Sequence, residues 1–130
     1  MSAPLTEYKR SVSFSDTDMA GVVHFTTILR YVEDAEHAAL RQMDVPAISK
    51  DGGFPKVHVE CDYRSPVRFG DEVCVQLELD KISTRSLSWS FVLSVKEKIA
   101  ARGKIVTAMV SNKGESIEIP KEWRDKLESI

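Results

Sequence analysis

Only one stretch of this chain repeats its apolar residues with a helical period over any length, and that limits what the rest can fold around. From Phe25 to Met43, the residues Phe25, Ile28, Leu29, Val32, Ala35, Ala39 and Met43 recur at i, i+3, i+4, i+7 spacing. Thr26, Arg30, Glu33, His37 and Arg41 mark the opposite, polar face. Pro46 and the Lys50-Asp51-Gly52-Gly53 cluster stop this helix, and most of the chain beyond them alternates with period two. Strands are predicted at 56–64, 72–81 and 85–97, bounded by turn residues such as Gly70-Asp71. In SLSWSFVLSV, Leu87, Trp89, Phe91, Leu93 and Val95 share one face, while Ser86, Ser88, Ser90 and Ser94 share the other, so one side of this strand belongs to a core. A further strand, about 103–111, is apolar on both registers (Ile105, Val106, Ala108, Met109, Val110), which points to a central or doubly covered position. A short first strand is read from Tyr8 to Phe14, with Val12 and Phe14 set against Ser11 and Ser13. Near the C-terminus Pro120 opens a short helix, PKEWRDKLE, with proline in its favoured first turn.

The order is one strand, one long helix, four strands and a small helix. An antiparallel sheet needs its apolar face covered, and the long helix is the only element available to do so. The fold class expected is therefore α+β: a curved antiparallel sheet of about five strands wrapped around one long central helix, with a short C-terminal helix. This is the hot dog arrangement. A half-open β-barrel or another α+β sandwich fits the same string.

The 130 residues suit a single domain, 1–130, long enough to bury a core. With 18 basic against 20 acidic residues the chain lacks the basic surface that phosphate backbones require, which argues against nucleic acid as the main partner. No apolar stretch approaches the roughly 18 residues that span a bilayer, and MSAPLTEYKR lacks the charged-then-apolar order of a secretory leader, so a cytoplasmic protein is expected. Cys61 and Cys74 are the only cysteines. Reduced thiols suit that compartment, and nothing resembles the paired ligand spacing of a zinc site, so neither disulfide, metal nor cofactor is expected.

The chemistry concentrates in DTDMAGVVHF, residues 16–25. An Asp-Thr-Asp before a helix is commonly capping and loop chemistry. The same position also suits catalysis, in which a carboxylate would work beside donors aimed at a developing oxyanion. The first free N–H groups of a helix, aided by the positive end of its dipole, are such donors.

FSDTDMAGVVHFTTILRYVEDAEHAALR resembles the signature of the 4-hydroxybenzoyl-CoA thioesterase family of hot dog enzymes: an aromatic, D-x-D-x-x-G-[VI]-V, two aromatic or histidine positions, and a helix carrying an acid. Phe14, Asp16, Asp18, Gly21, Val22, Val23, Phe25 and Glu33 fall in place. The likeness continues more loosely through VECDYRSPVRFGDEV, TRS at 84–86 and IPKEW, covering nearly the whole chain. It implies an acyl-CoA thioesterase, with Asp18 as the catalytic carboxylate, nucleophile or general base, and the Phe25 amide as the main oxyanion donor. Asp16 is left to loop structure. Dimers joined edge to edge, often paired into homotetramers, are implied as well, with acyl-CoA the small-molecule partner.

His24 is a lone histidine beside this site; histidine-bearing relatives carry theirs one place later, so a substrate-binding or loop role is expected rather than general-base work. Glu33 has two readings: a solvated i,i+4 pair with His37, or a substrate-pocket or subunit-interface role. Arg85 and Ser86 match a basic-Ser spot that contacts the CoA nucleotide in relatives, although Ser83-Thr84 stand where some have further cations; Lys81, Arg64 and Arg68 are substitutes. Two rival functions keep the fold. One is a non-hydrolytic acyl-thioester binding module; the other is a hot dog hydratase or dehydratase, which would need a histidine and acid pair placed otherwise.

Overall fold

The computed structural model describes residues 6–129. Residues 1–5, part of the stretch weighed for a leader, and residue 130, the last of the span read as one domain, lie outside the described residues. The chain runs β1 (Thr6–Ser11), a 3₁₀ turn (Phe14–Asp16), α1 (Phe25–Gln42), the two-residue pair β2 (Ile48–Ser49) and β3 (Gly52–Gly53), β4 (Lys56–Tyr63), β5 (Glu72–Ile82), β6 (Ser86–Val95), β7 (Lys98–Ala108) and α2 (Lys121–Glu128). Five strands form one antiparallel sheet in the order β1-β5-β6-β7-β4, leaving β1 and β4 at the edges. Register shifts at Leu79/Lys81, Leu93/Ser94 and Lys56/His58 are the irregularities that bend strands.

The long helix lies against β1 and β5 and closes the core. Its buried residues are Ile28, Tyr31, Val32, Ala35, Glu36, Ala39 and Leu40. Opposite them β6 contributes Leu87, Trp89, Phe91 and Leu93, all buried, the alternation its sequence announced. Each such side chain stabilises the fold by about 1.5–3 kcal/mol relative to exposure, so this strand alone anchors much of the core. Gly103 of β7 allows β4 to close on it: a Cβ there would overlap the carbonyl oxygen of Glu60.

Several boundaries differ from the sequence reading, each for a local reason. The first strand ends at Ser11, and Phe14, expected within it, enters the 3₁₀ turn and stands exposed. Ser13 and Asp16 close that turn as a capping box, an alternative to continuing the ladder. The strand expected at 103–111 begins at Lys98, because Lys96 and Glu97 form a two-residue hairpin that returns the chain at once; it lies between β6 and β4, but only one of its faces is fully buried. Pro120 is the N-cap of α2 rather than a first-turn residue. Cys61 on β4 and Cys74 on β5 are three strand spacings apart, about 14 Å, well beyond disulfide reach. Among the described residues no helix is long and apolar enough to cross a membrane.

Candidate active site

Residues 17–23 form a small hairpin that carries Asp18. Thr17 and Val23 pair as an isolated bridge, Asp18 N–H donates to Val22 O at 2.8 Å, and Gly21 N–H donates to Asp18 O at 3.0 Å. Gly21, at φ +75, makes this return possible, since the left-handed region penalises a side chain. The Asp18 carboxylate folds back on its own loop: Oδ1 accepts from the N–H groups of Ala20 at 2.8 Å and Val22 at 3.2 Å. Its other oxygen has no hydrogen-bond partner among the described residues and the side chain is exposed, so one oxygen is fixed and one is free for chemistry.

Asp16, two residues earlier, is committed to structure. Its Oδ2 accepts from the Tyr31 hydroxyl at 2.7 Å, from Ser13 N–H at 3.1 Å and from Arg10 at 3.5 Å. Burial works to raise its pKa, but the Tyr31 and Ser13 hydrogen bonds and the Arg10 charge prevail and hold it below the usual carboxylate range. Arg10 also lies 4.6 Å over the Tyr31 ring and pairs with Asp34 at 3.2 Å. The strand, the 3₁₀ turn and α1 are thus tied together directly upstream of Asp18.

Helix α1 begins beside that hairpin. His24 is its N-cap: its carbonyl accepts from Thr27 and Ile28, and Nδ1 accepts from Thr26 N–H at 3.3 Å. One imidazole nitrogen, Nδ1, is thus engaged in capping, and the ring lies 4.6 Å from that of Phe25. Phe25, the first helical residue, keeps an N–H with no acceptor among the described residues, at the positive end of an 18-residue helix. Asp18 is hydrogen-bonded to Val22, and the three residues from Val22 to Phe25 span at most about 10 Å, so carboxylate and amide share one locality.

Beside them opens an apolar groove of about 360 Å³, lined by Val22, Val23, Phe25, Ile28, Tyr63 and the Arg64–Val67 segment. Asp18 is joined to its rim through Val22 rather than lining it. Tyr63 crosses from β4: its hydroxyl donates to Phe25 O at 3.1 Å, and the two rings meet edge-on at 6.2 Å. Burial pushes the Tyr63 hydroxyl up to about 12, so it stays a donor. No local pattern marks Tyr63 as a site residue, because its partner lies 38 residues away.

Glu33 does not pair with His37. Its carboxylate accepts from Lys56 of β4 at 2.8 Å, which holds its pKa below the ordinary range, and it lines a second groove between α1 and β4 with Leu29, Val59 and Ile105. Lys56 bonds Glu36 as well, and His37 approaches Glu36 at 4.0 Å. Glu36 was missed by the periodicity because a carboxylate is rarely placed in a core; here it is fully buried and raised in pKa by that burial.

Arg85 and Ser86 do not join this site within one chain. They lie where β6 begins, whereas the groove adjoins its far end, about 30 Å away along the strand. Arg85 donates to Ser116 O at 3.0 Å. Among the described residues no group of three or more His, Cys, Asp or Glu is placed to hold a metal.

Other proteins share the sequence and the architecture of this chain. The sequence profile of the thioesterase superfamily matches residues 20–99. A 1,4-dihydroxy-2-naphthoyl-CoA hydrolase from Synechococcus sp. is 33% identical over 111 residues, covering 78% of this chain and 74% of its own. The crystal structure of a 1,4-dihydroxy-2-naphthoyl-CoA thioesterase from Synechocystis superposes with a TM-score of 0.87 over 98% of both chains, and at 23% identity it attests the fold. A gentisyl-coenzyme A thioesterase superposes at 0.85 with 25% identity, over 92% of this chain and 99% of that one. By sequence and by architecture, this chain belongs to the thioesterase superfamily.

Proposed function

We propose that the protein is an acyl-CoA thioesterase, converting RCO–S–CoA and water to the free acid and CoA. The observation that carries this is the pairing of a half-anchored carboxylate, Asp18, with an acceptor-free helix N–H, Phe25, at the end of an apolar groove. With the thioester carbonyl oxygen toward the Phe25 amide, the free oxygen of Asp18 either attacks the carbonyl carbon or takes a proton from attacking water. The amide and the helix dipole stabilise the oxyanion as it forms. The groove, with Phe25 and Tyr63 in its wall, receives the acyl group and favours an aromatic one, in keeping with the aroyl-CoA substrates named for the relatives. His24 shapes the entrance as the cap. The reaction calls on no cofactor or metal.

The working unit in this proposal is a homodimer joined along β4, a dimer pair making a tetramer. Supporting it, β4 is an unpaired sheet edge with Val57, Val59 and Tyr63 exposed, and the Glu33–Lys56 groove runs beside it. In such an assembly Glu33 belongs to the interface, and Arg85 and Ser86 reach nucleotide only if a neighbouring subunit presents them. The cytosol, where acyl-CoA is made and thiols stay reduced, is the proposed location. Thiol release measured over a panel of aliphatic and aromatic acyl-CoAs tests the function. Release from aromatic members supports it; saturable binding of the panel with no release makes the protein a binding module instead.

A further inference from the structure

The apolar groove shares Ser65, Pro66 and Ala100 with another cavity, of about 450 Å³. Arg68, Lys96 and Lys98 line this cavity, and Arg64 lines the apolar groove. Among the described residues none of these four cations pairs with a carboxylate. The one carboxylate in the lining, Asp71, is turned to the backbone, where Oδ2 accepts from Arg68 N–H at 2.8 Å.

The walls are built from anchored chain. Arg64 and Ser65 N–H groups donate to Ala100 O at 2.7 and 3.2 Å, and Ser65 Oγ donates to Ile99 O at 3.1 Å. On the other side Arg68 bridges Val22, and Phe69 N–H donates to Gly21 O at 3.2 Å, so the segment is fastened to the hairpin that carries Asp18. Lys96 and Glu97 form the shortest hairpin turn, both in the left-handed region at φ 50 and 68, with Val95 and Lys98 paired across it. So short a turn keeps Lys96 and Lys98 at the groove.

We propose that this cationic groove holds the phosphate at the far end of the substrate's pantetheine arm. The inference rests on the thioesterase reading, since it takes the apolar groove as the acyl end. An arm leaving the thioester in that groove has the cations on the far side of Ser65 and Pro66, the residues the two cavities share. Unpaired ammonium and guanidinium groups satisfy phosphate oxygens by charge-assisted hydrogen bonds. It assigns to this subunit's own Arg68, Lys96 and Lys98 the charge recognition that Arg85, at the other end of the sheet, cannot supply from within the same chain.

The test compares benzoyl-CoA, benzoyl-4′-phosphopantetheine and benzoyl-pantetheine on wild type, Lys96→Ala/Lys98→Ala, Lys98→Glu and Arg85→Ala. The ratio of kcat/KM for benzoyl-CoA to that for benzoyl-pantetheine should fall roughly tenfold in the double variant, through KM, and further in Lys98→Glu. A similar fall with benzoyl-4′-phosphopantetheine assigns the groove to the phosphate nearest the arm. A fall with the CoA ester alone assigns it to the nucleotide end and overturns the proposal as stated. Ratios within twofold of wild type in both lysine variants, or a fall confined to Arg85→Ala, overturn it outright. Calorimetric binding of CoA to the same proteins reads the groove without turnover. If no thioester is hydrolysed but the lysine variants lose CoA affinity, the groove stands and the hydrolytic function falls.

Discussion

Replacing Lys56 by methionine isolates Glu36, the one buried carboxylate among the described residues. In the native protein Lys56 bonds both Glu33, which is half exposed, and Glu36, which has no exposed surface. Methionine preserves the length of the side chain but not the charge. Glu33 can turn to water; Glu36 cannot. Its Oε2 already has no hydrogen-bond partner, and only His37, at 4.0 Å, would remain near Oε1. Removing one partner of a buried pair costs about 3–5 kcal/mol, and because Lys56 is partly exposed the lower end applies at pH 7. For a chain of 130 residues a 3 kcal/mol loss corresponds to a fall in Tm of about 10 °C.

The pH dependence gives the sign. Burial raises the Glu36 pKa above its ordinary 4.5, and losing Lys56 raises it further. A carboxyl raised in the folded state stabilises the fold relative to higher pH only while protonated, so the variant's deficit should be small below about pH 4.5 and grow as pH rises through the folded value. Urea unfolding at one protein concentration, at pH 4 and pH 7, measures this, since any subunit association would otherwise shift the midpoint. Lys56→Met/Glu36→Gln should recover most of the loss, because a neutral amide removes the stranded charge. A deficit under 1 kcal/mol at pH 7, or one equal at both pH values, would refute the claim that Glu36 depends on Lys56.

Three further outcomes are expected. Tyr31→Phe removes a hydroxyl that donates to a carboxylate at 2.7 Å and should destabilise by about 1.5–3 kcal/mol. Because the Asp16 pKa is lowered in the fold, that loss should be present above its ordinary value of 3.8 and shrink as pH falls through the folded value, which acid titration of unfolding reads. Gly103→Ala should cost more than about 3 kcal/mol or prevent folding, since the added methyl meets the backbone of β4 rather than a side chain that could move; circular dichroism and urea midpoints check it. Val59→Glu, at the exposed face of the edge strand, should shift the proposed dimer to monomer in sedimentation, while an unchanged mass would remove β4 from the interface.

Much of the fold was legible because periodicity reports which side of an element faces a core. The alternation of β6 corresponds to its buried face, and the 3.6-residue period of α1 does so at Ile28, Val32, Ala35 and Ala39, whereas Phe25 is exposed, Leu29 and Met43 are only partly buried, and Tyr31 and Leu40 complete the buried face. Where the reading slipped, a polar group had overridden the pattern. Phe14 belongs to a turn closed by Ser13 and Asp16, and Glu36 is buried because Lys56, twenty residues on, reaches it. On β4, Val57, Val59 and Tyr63 share one face of the alternation and yet are exposed in the single chain, since alternation tells that a face is apolar and not what covers it. The loop of Asp18 was legible from its glycine and its place before a helix. The contact of Tyr63 with Phe25 was not, and neither was the separation of Arg85 from the groove, because both depend on how distant strands are ordered.

The most direct measurement is the turnover of the best acyl-CoA by Asp18→Asn beside wild type, with circular dichroism confirming the fold. Asparagine keeps an oxygen to accept from Ala20 and Val22, so the loop should persist while the carboxylate is lost. The expected result is a fall in kcat of at least about a hundredfold with KM little changed. Turnover by Asp18→Asn at the wild-type rate would contradict the assignment of the chemistry to Asp18.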